Sequence, residues 1–325
     1  MILNSRPIFH AHLALETGSI SCSSCIRQDY RWKTRLNFIQ YDMKIISDGH
    51  KLQKISTELS RTGKTVGFIP TLGALHEGHL TLIKESKAKN DITIVSIFVN
   101  PAQFGPNEDL SKYPRPFEND KKLLTNEKVD YLFYPDAAAI YPPNFQTYVT
   151  INKLQNILDG KSRQGHFSGM ATVVLKLFNL THPTNAYFGQ KDFQQSVVIK
   201  QMVKDLNLPI KINVVPTLRD HDGLALSSRN IFLSSQERML ALNLYQSLLL
   251  GKKLILEGNK NAQMIKSEMN KFLQKNKLIH LDYIEICNPD NLDTVKVIPK
   301  KVVILIAAKV GKTRLIDNIL IYEFR

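Results

Sequence analysis

His76 and His79 stand three residues apart in the run Pro70-Thr71-Leu72-Gly73-Ala74-Leu75-His76-Glu77-Gly78-His79. Residues at this spacing share one face of a helix. The run leaves a strand-like segment, turns at Gly73, and opens a helical pattern whose first amides favour an anion. Two imidazoles in that place can grip a triphosphate and stabilise the charge of a phosphoryl transition state. Two further segments carry phosphate donors. Lys191, in Gly189-Gln190-Lys191-Asp192, adds a point charge after a glycine turn, and Gln195 sits one helical turn beyond it. Leu226-Ser227-Ser228-Arg229 sets two hydroxyls beside a guanidinium, a group suited to triphosphate oxygens. Asn100 and Gln103, just past another strand-like segment, carry carboxamides that suit a small polar substrate. In Arg163-Gln164-Gly165-His166-Phe167-Ser168 the arginine can pair with phosphate or carboxylate. Ser168 is placed to cap the helix that follows.

These segments need elements to hold them. Leu52, Ile55 and Leu59 have helical spacing, and Gly63 ends that helix. Residues 65–69 read as a buried strand stopped by Pro70. Residues 92–99 are a β-branched run and a second buried strand. Strands are also expected over 131–134, 186–188 and 210–215, and helices from about His76 to 89, over 171–178 and over 194–206. Strands separated by helices imply crossovers and a parallel sheet covered on both faces. Ligands of such sheets bind outside the carboxyl ends of the strands, which is where the polar motifs lie. Beyond Leu218 the pattern changes to helices over 237–256 and 262–275 and strands over 281–286, 302–308 and 315–322. The expected fold is α/β: a Rossmann-like parallel-sheet domain over 43–217 and a smaller α+β domain over 218–325.

Residues 1–42 have no sustained period. They lack the uninterrupted apolar core and cleavage site of a secretory peptide, and Glu16, Asp29 and Asp42 make the match to a transit peptide partial. They read as a disordered leader or a start assigned too early.

The 325 residues, 43% apolar and 22% charged, suffice for a sizeable core of one or two domains. The apolar run at 302–308 is far shorter than the roughly 20 residues of a spanning helix, so no membrane is implied. The net charge of +14 attracts anions in general. An RNA-binding protein would need a basic stripe with stacking aromatics, and none is visible. Three cysteines are a poor disulfide framework. Cys22 and Cys25 have C-x-x-C spacing but no second ligand pair nearby. Gly63-Lys64-Thr65 and Gly311-Lys312-Thr313 end like a P-loop but lack its earlier glycine, since Glu58 and Ile306 stand there.

His76-Glu77-Gly78-His79 resembles the H-x-G-H signature of the nucleotidyltransferase superfamily. The longer string from Pro70 to Leu80 resembles the pantothenate synthetase family of pantoate–β-alanine ligases. The segments 96–115, 163–174, 187–195 and 222–230 fit that family in the same order, from Met43 to the C-terminus. One departure is Gln164, where the family more often has proline. The resemblance implies that ATP is bound by Leu72, Gly73, Ala74, Leu75, His76, Glu77, Gly78 and His79, by Gly189, Gln190, Lys191 and Asp192, and by Leu218, Leu226, Ser227, Ser228 and Arg229. It implies that Gln103, Gln195 and Asn100 bind the small substrates and that His79, His76 and Lys191 are catalytic. It further implies a homodimer in the cytoplasm.

The implied reaction has two halves. The pantoate carboxylate attacks the α-phosphate of ATP, giving pantoyl adenylate and pyrophosphate. The β-alanine amine then attacks the activated carbonyl, giving pantothenate and AMP. A carboxylate is already a nucleophile at neutral pH, so the first half needs alignment and charge neutralisation rather than a base. Mg²⁺ bridging phosphate oxygens is expected, with Glu108 or Asp109 as carboxylates that could approach it. A different adenylyltransferase of the superfamily is the competing enzyme reading, and the glutamine-bearing motifs argue against it.

Overall fold

The computed structural model describes residues 42–106 and 108–322, along which strands and helices alternate. In chain order they are β1 (Lys44–Ile46), α1 (Gly49–Arg61), β2 (Val66–Thr71), α2 (Glu77–Lys87), β3 (Ile92–Ile97), α3 (Phe117–Asn126) and β4 (Tyr131–Phe133). Then come α4 (Ala137–Ile140), α5 (Asp159–Ser162), α6 (His166–Thr181), β5 (Asn185–Gly189), α7 (Phe193–Asp205) and β6 (Lys211–Val215). The C-terminal part holds α8 (Ser235–Leu256), α9 (Ala262–Leu273), β7 (Ile279–Cys287), β8 (Lys301–Val310) and β9 (Thr313–Tyr322).

Six strands form one parallel sheet in the order β1-β4-β3-β2-β5-β6. Its strands are apolar on both faces because each face is covered. Phe68, Ile94 and Phe188 enter a core shared with α1, α6 and α7, through Leu52, Leu177 and Val197 among others. Their neighbours Ile69, Val95 and Tyr187 point the other way, to a core with α2 and α3 through Ile83 and Leu124. Phe68 and Ile94 are fully buried, and each such side chain contributes about 1.5–3 kcal/mol on leaving water. The last three strands form an antiparallel sheet, β7-β8-β9. One of its faces packs Ile284, Ile304 and Ile306 under α8 and α9. The other sends Cys287, Val303 and Leu305 into the α1–α6–α7 core, so that core runs without a break from the parallel sheet to the antiparallel one.

The expected elements are present, with several boundaries moved. Strand β2 runs through Pro70 instead of stopping before it. The Thr71 carbonyl accepts from Phe98 on the β3 side, so Pro70 faces β5, and β5 pairs only with Gly67 and Phe68. No ladder bond is lost there. Strand β3 ends at Ile97, two residues earlier than its apolar run. Helix α6 starts at His166, five residues before the expected 171, and Gly165 at φ 80° is its N-cap. Ser168 lies inside that helix and donates to the Val149 carbonyl at 3.0 Å, so it is no cap. The short edge strand β1 and helix α3 were not anticipated. The expectations for residues 1–41, including Cys22 and Cys25, lie outside the described residues.

Candidate active site

The chain runs outward from β2 through β3 to β4 on one side, and returns on the other through β5 and β6. The order therefore reverses between β2 and β5, the kind of place where open parallel sheets bind ligands. A cavity lies there. Its wall brings together His76, His79, Asn100, Gln103, Arg163, His166, Gly189, Lys191, Asp192, Gln195, Leu218, Leu226, Ser227, Ser228 and Arg229, with Leu72 and Gly78. Of the expected ATP residues, Gly73, Ala74, Leu75, Glu77 and Gln190 stand outside that wall.

The β2–α2 turn explains why. Gly73 has φ 83°, which a side chain would strain, and an added Cβ would meet Ile97 at 3.0 Å. The amides of Ala74 and Leu75 both donate to the buried Asp120 carboxylate at 2.8 Å. The turn was expected to offer these amides to a bound anion; they hold a protein carboxylate instead. Burial raises the Asp120 carboxyl above its usual range, and the two amides work against that rise. Asp120 lies in the first turns of α3, and no sequence motif marks it.

Helix α2 is capped by its own histidines. His76 Nδ1 accepts from the Gly78 amide at 3.2 Å, and His79 Nδ1 accepts from the His76 amide at 3.3 Å. The rings lie 4.2 Å apart. Burial, with Lys191 adding repulsion, lowers the His76 imidazole to about 4. Burial and His76 lower His79 to about 3. Both rings are therefore neutral at pH 7. Because each Nδ1 accepts, each proton sits on Nε2, and both rings can donate from Nε2 without bringing a net charge.

The loop after β3 is braced from α6. Asn100 donates from Nδ2 to Gln103 Oε1 and to the Gly169 carbonyl, both at 3.1 Å, and accepts from Tyr141 at 2.8 Å. Its amide is thus bonded within the fold and braces Gln103, while Asn100 itself lies in the cavity wall. With Oε1 committed, Gln103 keeps Nε2 for a ligand. Gly169 permits this approach, since a Cβ there would lie 2.0 Å from the Ala102 carbonyl oxygen. His166 Nδ1 lies 2.7 Å from the Gln103 carbonyl and its Nε2 3.0 Å from Arg163 Nη1. Arginine can only donate, so this imidazole carries its proton on Nδ1, the opposite tautomer to His76 and His79. Burial and the neighbouring Arg163 lower it to about 4.

Both cavity arginines are already paired. Arg163 grips Glu108 with two hydrogen bonds of 2.7 and 2.6 Å, and Arg229 grips Asp109 at 3.0 and 3.1 Å. Burial raises each carboxyl, but its arginine outweighs that and holds it below the usual carboxylate range. Lys191 Nζ lies 3.6 Å from Asp192. Ser227 caps a short turn by accepting from the Arg229 amide, and Ser228 Oγ lies 3.1 Å from Tyr113 Oη.

Strand β9, which no motif singled out, ties down these segments. Asn318 bonds the Gln190–Lys191 turn. Asp317 accepts two bonds from Arg219, at 2.6 and 2.9 Å, beside Leu218. Arg314 reaches Asp159 at 2.6 Å, at the start of the segment leading to Arg163.

Comparison with known proteins agrees with this geometry. The pantoate-beta-alanine ligase family model matches residues 44–320. A pantothenate synthetase of Caldicellulosiruptor saccharolyticus is 53% identical over 279 residues, covering 86% of this chain and 99% of that protein. One of Thermotoga petrophila is 51% identical, covering 85% of this chain and 99% of its own length. The crystal structure of pantothenate synthetase from Thermus thermophilus superposes with TM-score 0.82 at 39% identity, over 86% of this chain and all of that one. The Francisella tularensis pantoate-beta-alanine ligase, crystallised with beta-gamma ATP and beta-alanine, has TM-score 0.70 at 40% identity, over 86% of this chain and 98% of that one. With a family model spanning most of its length and relatives matched nearly end to end, this chain belongs to the pantoate–β-alanine ligase family.

Proposed function

We propose that this chain condenses pantoate with β-alanine, using ATP and passing through a pantoyl adenylate held in the cavity at the β2–β5 reversal. One observation carries the reading. The cavity unites phosphate donors from three separate segments with two glutamines that suit a hydroxy acid. The pantoate carboxylate needs no base. It needs to be held in line with the α-phosphate while negative charge grows on the phosphate oxygens. His76 and His79 donate there from Nε2, and Lys191 and Arg229 supply full charges. Gln103 Nε2 and Gln195 orient the pantoate. The adenylate then stays in place, shielded from water, until the β-alanine amine attacks its carbonyl and AMP leaves.

Mg²⁺ fits this site as part of the nucleotide substrate. Among the described residues no three His, Cys, Asp or Glu side chains group to hold a metal. Glu108 and Asp109, the carboxylates expected to approach the ion, give their oxygens to Arg163 and Arg229. When bound with ATP, Mg²⁺ would neutralise part of the phosphate charge beside Lys191 and Arg229. No helix among the described residues is long and apolar enough to cross a membrane, and we assign the enzyme to the cytoplasm as a homodimer, following the family.

The test is an endpoint assay with ATP, Mg²⁺, D-pantoate and β-alanine, following AMP and pantothenate together. Formation of both, dependent on all components, supports the reading. Absence of product from folded protein that binds ATP would mean that a different acid is adenylated.

A further inference from the structure

A second cavity adjoins the first and shares the Lys191–Asp192 and Ser227–Arg229 segments of its wall. It extends away from the histidines to the β8–β9 hairpin. Seven Lys and Arg side chains line it against four carboxylates. Each carboxylate is paired: Glu108 with Arg163, Asp109 with Arg229, Asp192 with Lys191 and Asp282 with Arg314. That leaves the charges of Lys112, Lys309 and Lys312, all exposed and in no ion pair among the described residues. The Lys312 charge reaches Glu237 at the start of α8.

The placement of Lys309 is unfavourable for the fold itself. It lies directly opposite Arg314 in the β8–β9 ladder, so the two side chains share a face. Like charges in that relation destabilise a sheet. Arg314 is neutralised by Asp159 and Asp282, whereas Lys309 brings an uncompensated charge to the cavity wall. Lysine is a flexible point charge, suited to a phosphate that must be held loosely and let go.

We propose that this second cavity is a site for a phosphate chain, which takes inorganic pyrophosphate from the Lys191–Arg229 wall and passes it to Lys112, Lys309 and Lys312 on its way out. The proposal rests on the adenylation read above, in which the bond between the α- and β-phosphates breaks and pyrophosphate departs beside Lys191. Drawing the pyrophosphate toward the hairpin removes it from the phosphorus of the adenylate, which it would otherwise attack to regenerate ATP.

The experiment is inhibition of pantothenate formation by added pyrophosphate, in wild type and in the Lys309→Gln/Lys312→Gln double variant, with KM measured for ATP and for pantoate. Calorimetric titration of pyrophosphate into each protein without other substrates runs beside it, and reports on the site even if the ligase reading fails. Removing the two exposed charges should weaken pyrophosphate inhibition and binding about tenfold, with the KM of pantoate within about twofold. A parallel rise in the KM of ATP would assign the lysines to the trailing phosphates of ATP as well, through the same chemistry. Lys253→Gln, at the far end of α8, is the control. Unchanged pyrophosphate inhibition and binding in a double variant of wild-type melting temperature would overturn the proposal. An equal shift in the control, which would make the effect one of net charge, would overturn it too.

Discussion

Asn318 Nδ2 donates to the Lys191 carbonyl at 3.0 Å and to the Gln190 carbonyl at 2.9 Å, while its Oδ1 accepts from Gln190 Nε2 at 3.1 Å. One buried amide from the antiparallel sheet thus commits its donor nitrogen and its acceptor oxygen to the turn that carries the cavity lysine Lys191. Asn318→Asp keeps the shape but turns an acceptor toward two carbonyls. Leaving those carbonyls unpaired costs about 1–3 kcal/mol each. We expect kcat to fall roughly ten- to a hundredfold on that basis. If Asn318 acts through Lys191, the same change in a Lys191→Ala background costs little more. Fully additive losses in that double-mutant cycle would make Asn318 a structural residue only.

His79→Ala removes one Nε2 donor. Loss of a single preorganised donor costs about 10²–10³ in turnover, and that is the expected fall in kcat, with an unchanged circular dichroism spectrum. Wild-type turnover in a folded variant would remove His79 from the mechanism.

Gln195→Ala should raise the KM of pantoate at least about tenfold, the scale of one lost hydrogen bond to a charged group. The KM of ATP should stay within about twofold. Equal losses for both substrates would place Gln195 in the support of the nucleotide.

Stability should depend on pH through the three cavity imidazoles. Folded, they bind protons only near 4, 3 and 4, against an ordinary value of 6.5. Between those limits the unfolded chain binds more protons than the folded one, so stability falls as pH drops from 6.5 toward 4 and is unaffected by these groups above 6.5. Glu108 and Asp109 add a second loss at lower pH, since their folded values lie below the ordinary 4.5 and 3.8. Urea midpoints at pH 7.5, 6 and 5 should decline, and His166→Gln should make the decline shallower. A midpoint that stays flat from pH 7.5 to 5 would contradict the burial of these rings.

Local pattern was enough to read the parallel sheet, because β-branched runs and helical spacing are properties of short stretches. It also pointed to His76, His79 and Lys191, which follow closely on the ends of β2 and β5, and to Arg229 beside two serines, whereas the family resemblance supplied Gln103 and Gln195; all six line the cavity. Their supports were hidden for a physical reason. Asp120 meets Ala74 and Leu75 across 46 and 45 residues, and Asn318 meets Lys191 across 127; nothing in either neighbourhood reports so distant a contact. Glu108 and Asp109 stand in sequence as carboxylates that could approach a Mg²⁺ ion, and only the fold reveals the arginines facing them. Pro70 looks like a strand end because the side of the strand that its nitrogen faces cannot be read from the chain.

The strand that fastens the Lys191 turn, the Leu218 segment and the approach to Arg163 is also made last. On the ribosome every donor in the cavity is synthesised before Arg314, Asp317 and Asn318. The parallel sheet can assemble early, yet the Gln190–Lys191 turn and Arg219 lack their bonds to Asn318 and Asp317 until β9 pairs with β8. The support that Asn318 gives the Lys191 turn therefore comes only after the parallel sheet's own strands have been made.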